Sequence, residues 1–161
     1  MTGNHFFDTT QMFRHACAFA SCAEFCRKDS HSIDHVKPEI VNSAFACEIF
    51  LKSLLFYNKI EYGKNHDLEA LYGLLPAQYQ ESIECELLKQ YGKLHNAFGT
   101  SYLSNISKAF EVWRYSFEKK SLQIEIGFLL TFRDLLRDIC CMEYYKMTWD
   151  VYKESKYGEI G

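Results

Sequence analysis

The stretch VNSAFACEIFLKSLLFYN, Val41–Asn58, decides the fold. Val41, Ala44, Phe45, Cys47, Ile49, Phe50, Leu51, Leu54, Leu55 and Phe56 point in almost every direction around a helical axis. A helix apolar nearly all round belongs in the centre of a bundle, because a surface helix keeps one face polar. It is expected to start near Pro38, a residue suited to a first turn, and to continue to about Asn58. Asn42 and Ser53 mark its obvious polar side. Glu48 and Lys52 do not lie there. They stand four apart, hence side by side, on the face of Val41, Ala44, Phe45 and Leu55. Charge embedded among apolar groups is costly unless paired, so the couple points to a buried polar network. The plain alternative is a surface pair worth about 0.3 kcal/mol.

Outward from this helix, apolar spacing predicts a first helix from about Thr9 to Lys28. Asp8, Thr9 and Thr10 are its N-cap candidates, and Met12, Ala16, Phe19, Ala20, Ala23 and Cys26 form its face. Asp29 to Lys37 reads as a polar loop. A short helix is expected from His66 to about Leu75, ended by Pro76, and another from Ala77 to about Leu94. His95 to Ser107 reads as a loop with possible helical turns, and Ala109 to Lys120 fits either a helix or an extended segment. The last long helix is expected from about Leu122 to about Trp149. Ile124, Phe128, Leu129, Phe132, Leu135, Leu136, Ile139 and Met142 form its apolar face, with Arg133, Asp134, Arg137 and Asp138 opposite. From about Lys153 the tail is expected to fray. The fold class is therefore all-α, an antiparallel up-and-down bundle of four to five main helices in a single domain over residues 1–161.

Two prolines in the whole chain permit long helices. A net charge of −3 gives no basic field for tight sequence-independent nucleic-acid binding, although a local basic patch stays open. The apolar run Ile49–Tyr57 is broken by Lys52 and is short for a membrane span, and the amino terminus lacks a signal-peptide layout. A cytoplasmic chain with no membrane association is the expectation. The seven cysteines are odd in number and mostly sit in apolar helical patterns, which suits reduced core thiols. Cys22 and Cys26, with His15 near their face, do not make zinc spacing, so no metal and no cofactor are expected. No phosphate-binding glycine loop and no hydrolase or protease motif is present.

Ala44 to Leu75, AFACEIFLKSLLFYNKIEYGKNHDLEALYGLL, resembles the HEPN superfamily (higher eukaryotes and prokaryotes nucleotide-binding). The likeness rests on Glu48 and Lys52 four apart in an apolar helix, then His66-Asp67-Leu68 opening a short helix, with Trp113-Arg114-Tyr115 before the last helix. It implies a helical bundle, often dimeric, linked to RNA, nucleotides, or bacterial toxin–antitoxin and phage-defence systems. Catalytic members of that superfamily are metal-independent RNases with an Arg followed, after four to six residues, by a His in the C-terminal half. This chain has no His after His95, so Arg114, Arg133 and Arg137 have no such partner. The resemblance therefore implies a non-catalytic, homodimeric domain that binds a nucleotide, RNA or a cognate protein. The alternative is a metal-independent RNase with an atypical site, using His66 or His95 with Arg114.

The candidate binding residues are Glu48, Lys52, His66, Asp67, Arg114 and Tyr115. His66 could serve as a base or ligand group, and Arg114 could bind phosphate through its fork of donors. Simpler roles compete. Asn65 or His66 would cap a helix, with Asp67 complementing its dipole. Arg114 would pair with Glu48 or Glu118 inside the fold.

Overall fold

The computed structural model describes residues 2–28, 35–91, 102–107 and 126–157. Within them the chain is helical, without strands: α1 (Thr2–Lys28), α2 (Val36–Tyr57), α3 (Leu68–Gly73), α4 (Ala77–Tyr91), α5 (Leu103–Ser107), α6 (Ile126–Tyr145) and α7 (Trp149–Tyr157).

The core forms around α2. Ile40, Ala44, Ala46, Cys47, Phe50, Leu51, Leu54 and Leu55 are all buried. Each large side chain among them contributes about 1.5–3 kcal/mol by leaving water. Among the described residues α2 is the one helix long and apolar enough to cross a membrane, yet most of it is buried inside the fold, against α1 and α6. Helix α1 runs antiparallel to it. His5 stacks on Phe56 at 4.3 Å, Phe19 meets Phe45 at 4.5 Å, and Arg27 reaches Glu39 at 3.0 Å. The fully buried Ala16, Ala20 and Ala23 let α1 approach closely. Helix α6 runs parallel to α2: Arg133 Nη1 donates to Ser43 Oγ at 3.0 Å, and the Ser53 and Tyr144 hydroxyls meet at 2.8 Å.

Several expectations need correction. Helix α1 begins near Thr2, so the cap candidates Asp8, Thr9 and Thr10 lie inside it. Thr9 instead donates to the His5 carbonyl at 2.9 Å, the back-bond that hydroxyl side chains make within helices. The buried face of α1 is centred on Phe13, whose ring lies 5.7–5.9 Å from those of Phe50, Tyr144, Tyr145 and Tyr152. Helix α2 starts at Val36, which leaves Pro38 in the first turn, where its missing N–H costs nothing. Ser53 is buried, not solvent-facing, because its hydroxyl donates to the Thr9 carbonyl at 3.2 Å and pairs with Tyr144. The helical turns allowed for between His95 and Ser107 are found at its end, as α5, anchored by buried Leu103 and Ile106. The stretch from Ala109 to Lys120 lies outside the described residues.

The last helix is broken. Lys146 adopts φ 57°, a left-handed conformation that ends α6, and α7 then starts afresh at Trp149. Thr148 Oγ1 accepts from Val151 N at 3.4 Å and Asp138 Oδ1 from Trp149 N at 2.9 Å, so two side chains satisfy the amides that open α7. The stretch from Lys153 to Tyr157, expected to fray, is thus helical, held on the core by buried Tyr152.

Candidate functional site

Glu48 is buried on α2, and one oxygen of its carboxylate does two tasks. Oε1 accepts from Lys52 Nζ at 2.7 Å, one helical turn on, and lies 2.8 Å from His66 Nδ1. Glu preceding Lys by four is the favourable order along a helix. The Lys52 side chain is 14 % exposed, so its charge is largely withdrawn from water and needs this partner. Its ammonium also lies 5.6 Å from the centre of the Tyr62 ring, a cation–π distance. His66 is the outlet of the network: its side chain is 60 % exposed.

His66 reaches Glu48 because the chain between α2 and α3 turns twice in left-handed backbone. Ile60 N donates to Leu55 O at 2.9 Å and Lys59 N to Phe56 O at 3.0 Å. That bond pair is a Schellman ending, with Lys59 at φ 59° in the position usually held by glycine. Gly63, at φ 59°, makes the second reversal. A left-handed lysine costs about 1 kcal/mol, which the capped α2 carbonyls offset.

Asp67 turns away from this network. It is the N-cap of α3: its carboxylate accepts from Ala70 N at 3.0 Å and from the Ser107 hydroxyl. Ser107 Oγ accepts in turn from Glu69 N at 3.0 Å, so one polar chain fastens α5 to the start of α3. Asn65 is not the cap; its Oδ1 takes the Asp67 amide at 2.9 Å. The structure thus joins Glu48, Lys52 and His66, sets Asp67 beside them on a separate task, and leaves Arg114 and Tyr115 outside the described residues.

Arg133 and Arg137 were expected on the polar side of the last helix, yet they are 4 % and 5 % exposed. Arg133 Nε donates to Asp134 Oδ1 at 2.9 Å, and its Nη2 is 3.7 Å from Glu24. Arg137 Nη1 lies 2.8 Å from Glu24 and Nη2 donates to Asp134 at 3.2 Å. Its guanidinium also covers the Trp149 ring at 4.4 Å. Arg137 Nη1 is off hydrogen-bond geometry towards Glu24 despite that closeness, and Nε has no partner. Two arginines facing Glu24 and Asp134 balance in charge, which suits a clamp joining α1, α6 and α7. The signal for their burial lies outside the helical period: Glu24, an acidic residue on the first helix, meets them across the interface.

An open cavity of about 430 Å³ borders the network. His5, Phe56, Ile60 and Tyr62 supply an apolar wall, with Lys59, Glu61 and Gly63 at the turn. Tyr62 is shared between the cavity and Lys52. His5 Nε2 is sealed from water and has no hydrogen-bond partner, an unmet demand worth about 1–3 kcal/mol. Sequence reasoning passed over His5 and Tyr62, since a ring before a predicted helix and a ring in a loop carry no periodic signal.

The thiols have a plain physical role. Cys17, Cys47, Cys140 and Cys141 are buried and free, and burial pushes each thiol upward, Cys141 to about 12. A thiol held protonated in this way is a poor nucleophile and metal ligand. Among the described residues no group of three or more His, Cys, Asp or Glu side chains could hold a metal ion. Compared with protein-family models, curated proteins and solved structures, the chain matches none.

Proposed function

We propose that this chain is a non-catalytic HEPN-like domain, an antiparallel up-and-down bundle that binds RNA or a nucleotide as a cytoplasmic homodimer in a bacterial toxin–antitoxin or phage-defence setting. The observation that carries the reading is the Glu48 carboxylate, buried and engaged by both Lys52 and His66 through one oxygen. Cleavage of RNA by acid–base chemistry needs a free base and a separate acid. Here Glu48 and Lys52 neutralise each other in the interior, and His66 alone faces outward. Such a network shapes and fixes a surface. It does not supply two proton-transfer groups.

The test is incubation of the full chain with total RNA in EDTA, together with a mobility shift on the same RNA. Retarded but intact RNA is the expected result. Absence of any shift, while a cognate protein co-purifies, would move the reading to a protein-binding module. Light scattering should give the mass of two chains.

One observation favours an RNase as the second reading. A carboxylate on one imidazole nitrogen is the arrangement that orients a general base, and Glu48 stands so to His66. RNA cleaved by the wild type and spared by His66→Ala would establish it.

A further inference from the structure

We propose that the cavity beside Tyr62 binds a flat heteroaromatic ring. Three features of its walls argue for that class. First, the volume of about 430 Å³ falls within the roughly 300–1,000 Å³ of small-molecule sites. Second, the walls are rings and carbon: His5 and Phe56 stack 4.3 Å apart at an interplanar angle of 26°, and Tyr62 stands with them around the cavity. Aromatic walls favour a flat occupant, because stacking adds to the gain from burial. Third, His5 lines the cavity, and its Nε2 is buried without a hydrogen-bond partner. A purely hydrocarbon occupant would leave that nitrogen unmet.

Charge does not choose the occupant. Lys59 and Glu61 stand at the same turn with opposite signs, so the rim favours neither an anion nor a cation. Lys59 and Gly63, both in left-handed backbone, line the same cavity. A neutral flat ring with a hydrogen-bonding edge describes two sources, the base of a nucleoside or RNA loop and the indole of an aromatic amino acid. The inference rests on the cavity walls and not on the family reading.

The experiment is saturation-transfer NMR and calorimetry on the full chain with adenosine, with indole, and with cyclohexanol as an apolar control that is not flat. Adenosine or indole should bind, and cyclohexanol should not. Tyr62→Leu should weaken binding about tenfold through lost stacking. His5→Phe keeps a ring against Phe56 and removes the stranded nitrogen. It should raise the melting temperature of the free protein yet weaken ligand binding about fivefold. Adenosine bound without indole identifies a nucleobase. Indole bound without adenosine identifies the other source, and the RNA reading then rests on its own mobility shift. Failure of both rings to bind, or binding that neither variant alters, overturns the proposal.

Discussion

His66 Nδ1 and Lys52 Nζ meet the same oxygen of Glu48, at 2.8 and 2.7 Å, although His66 is 18 residues from Glu48 and Lys52 only 4. The short link is made by the helix itself. The long one exists only after the turn that follows α2 has formed, so this carboxylate ties the turn to the core.

Removing the acid should therefore hurt more than removing both charges. Glu48→Leu leaves Lys52 semi-buried without its partner and should cost about 2–4 kcal/mol in urea unfolding. Adding Lys52→Met to that variant should recover at least half of the loss. A double variant no more stable than the single one would mean that the interior does not penalise the lone ammonium.

Asp67→Ala removes the cap of α3 and a partner of Ser107 together. The expected loss is about 1–2 kcal/mol, and Asp67→Asn should retain most of the stability because the amide oxygen still caps. Hydrogen exchange should speed up at Ala70 and at Glu69, whose amides use Asp67 and Ser107. Unchanged exchange at both amides would contradict the assigned bonds.

Alkaline pH should destabilise the fold. Burial raises the thiols of Cys17, Cys47, Cys140 and Cys141 above 9.0, and the phenols of Tyr72, Tyr144 and Tyr152 above 10.0. A group raised in the folded state stabilises fully below its unfolded value, and that contribution is lost as pH climbs towards the folded value. The melting temperature should thus hold up to about pH 8.5 and fall from there, each released group adding about 1.4 kcal/mol per pH unit. A flat profile to about pH 11 would rule out this set of protonated interior groups.

Arg137→Lys keeps the charge and loses the flat guanidinium over Trp149. In a Trp113→Phe background the remaining Trp149 emission should shift red as α7 loosens. The global cost should be about 1–2 kcal/mol, since lysine cannot reproduce both the stacking and the fork towards Glu24 and Asp134. An unshifted emission maximum would show that Trp149 is held by its aromatic neighbours alone.

How far these features were legible depends on the range of the interaction. The central place of α2 follows from its all-round apolarity, and Glu48–Lys52 shows as a local anomaly on that helix. Both are readable within one element. Arg133 and Arg137 were misplaced because helical periodicity assigns charge to water, while their counter-charge Glu24 lies on another helix. Ser53 failed for the same reason, its partners being Thr9 and Tyr144. The end of α6 at Lys146 carries no glycine or proline, so no breaker announces it. Thr148 followed by Trp149-Asp150 is a cap signal that a search for helix starts inside the long apolar pattern would have found.

The Ser53–Tyr144 contact spans 91 residues, and α6 covers a flank of α2 that α1 leaves bare. During synthesis α1 and α2 leave the ribosome as a hairpin whose most greasy side has no cover until α6 follows. At the usual pace of translation that side waits roughly 5–20 seconds in the crowded cell. The nascent chain in that interval is a natural client for chaperones, and slowing translation beyond Tyr57 should send more of it into aggregates.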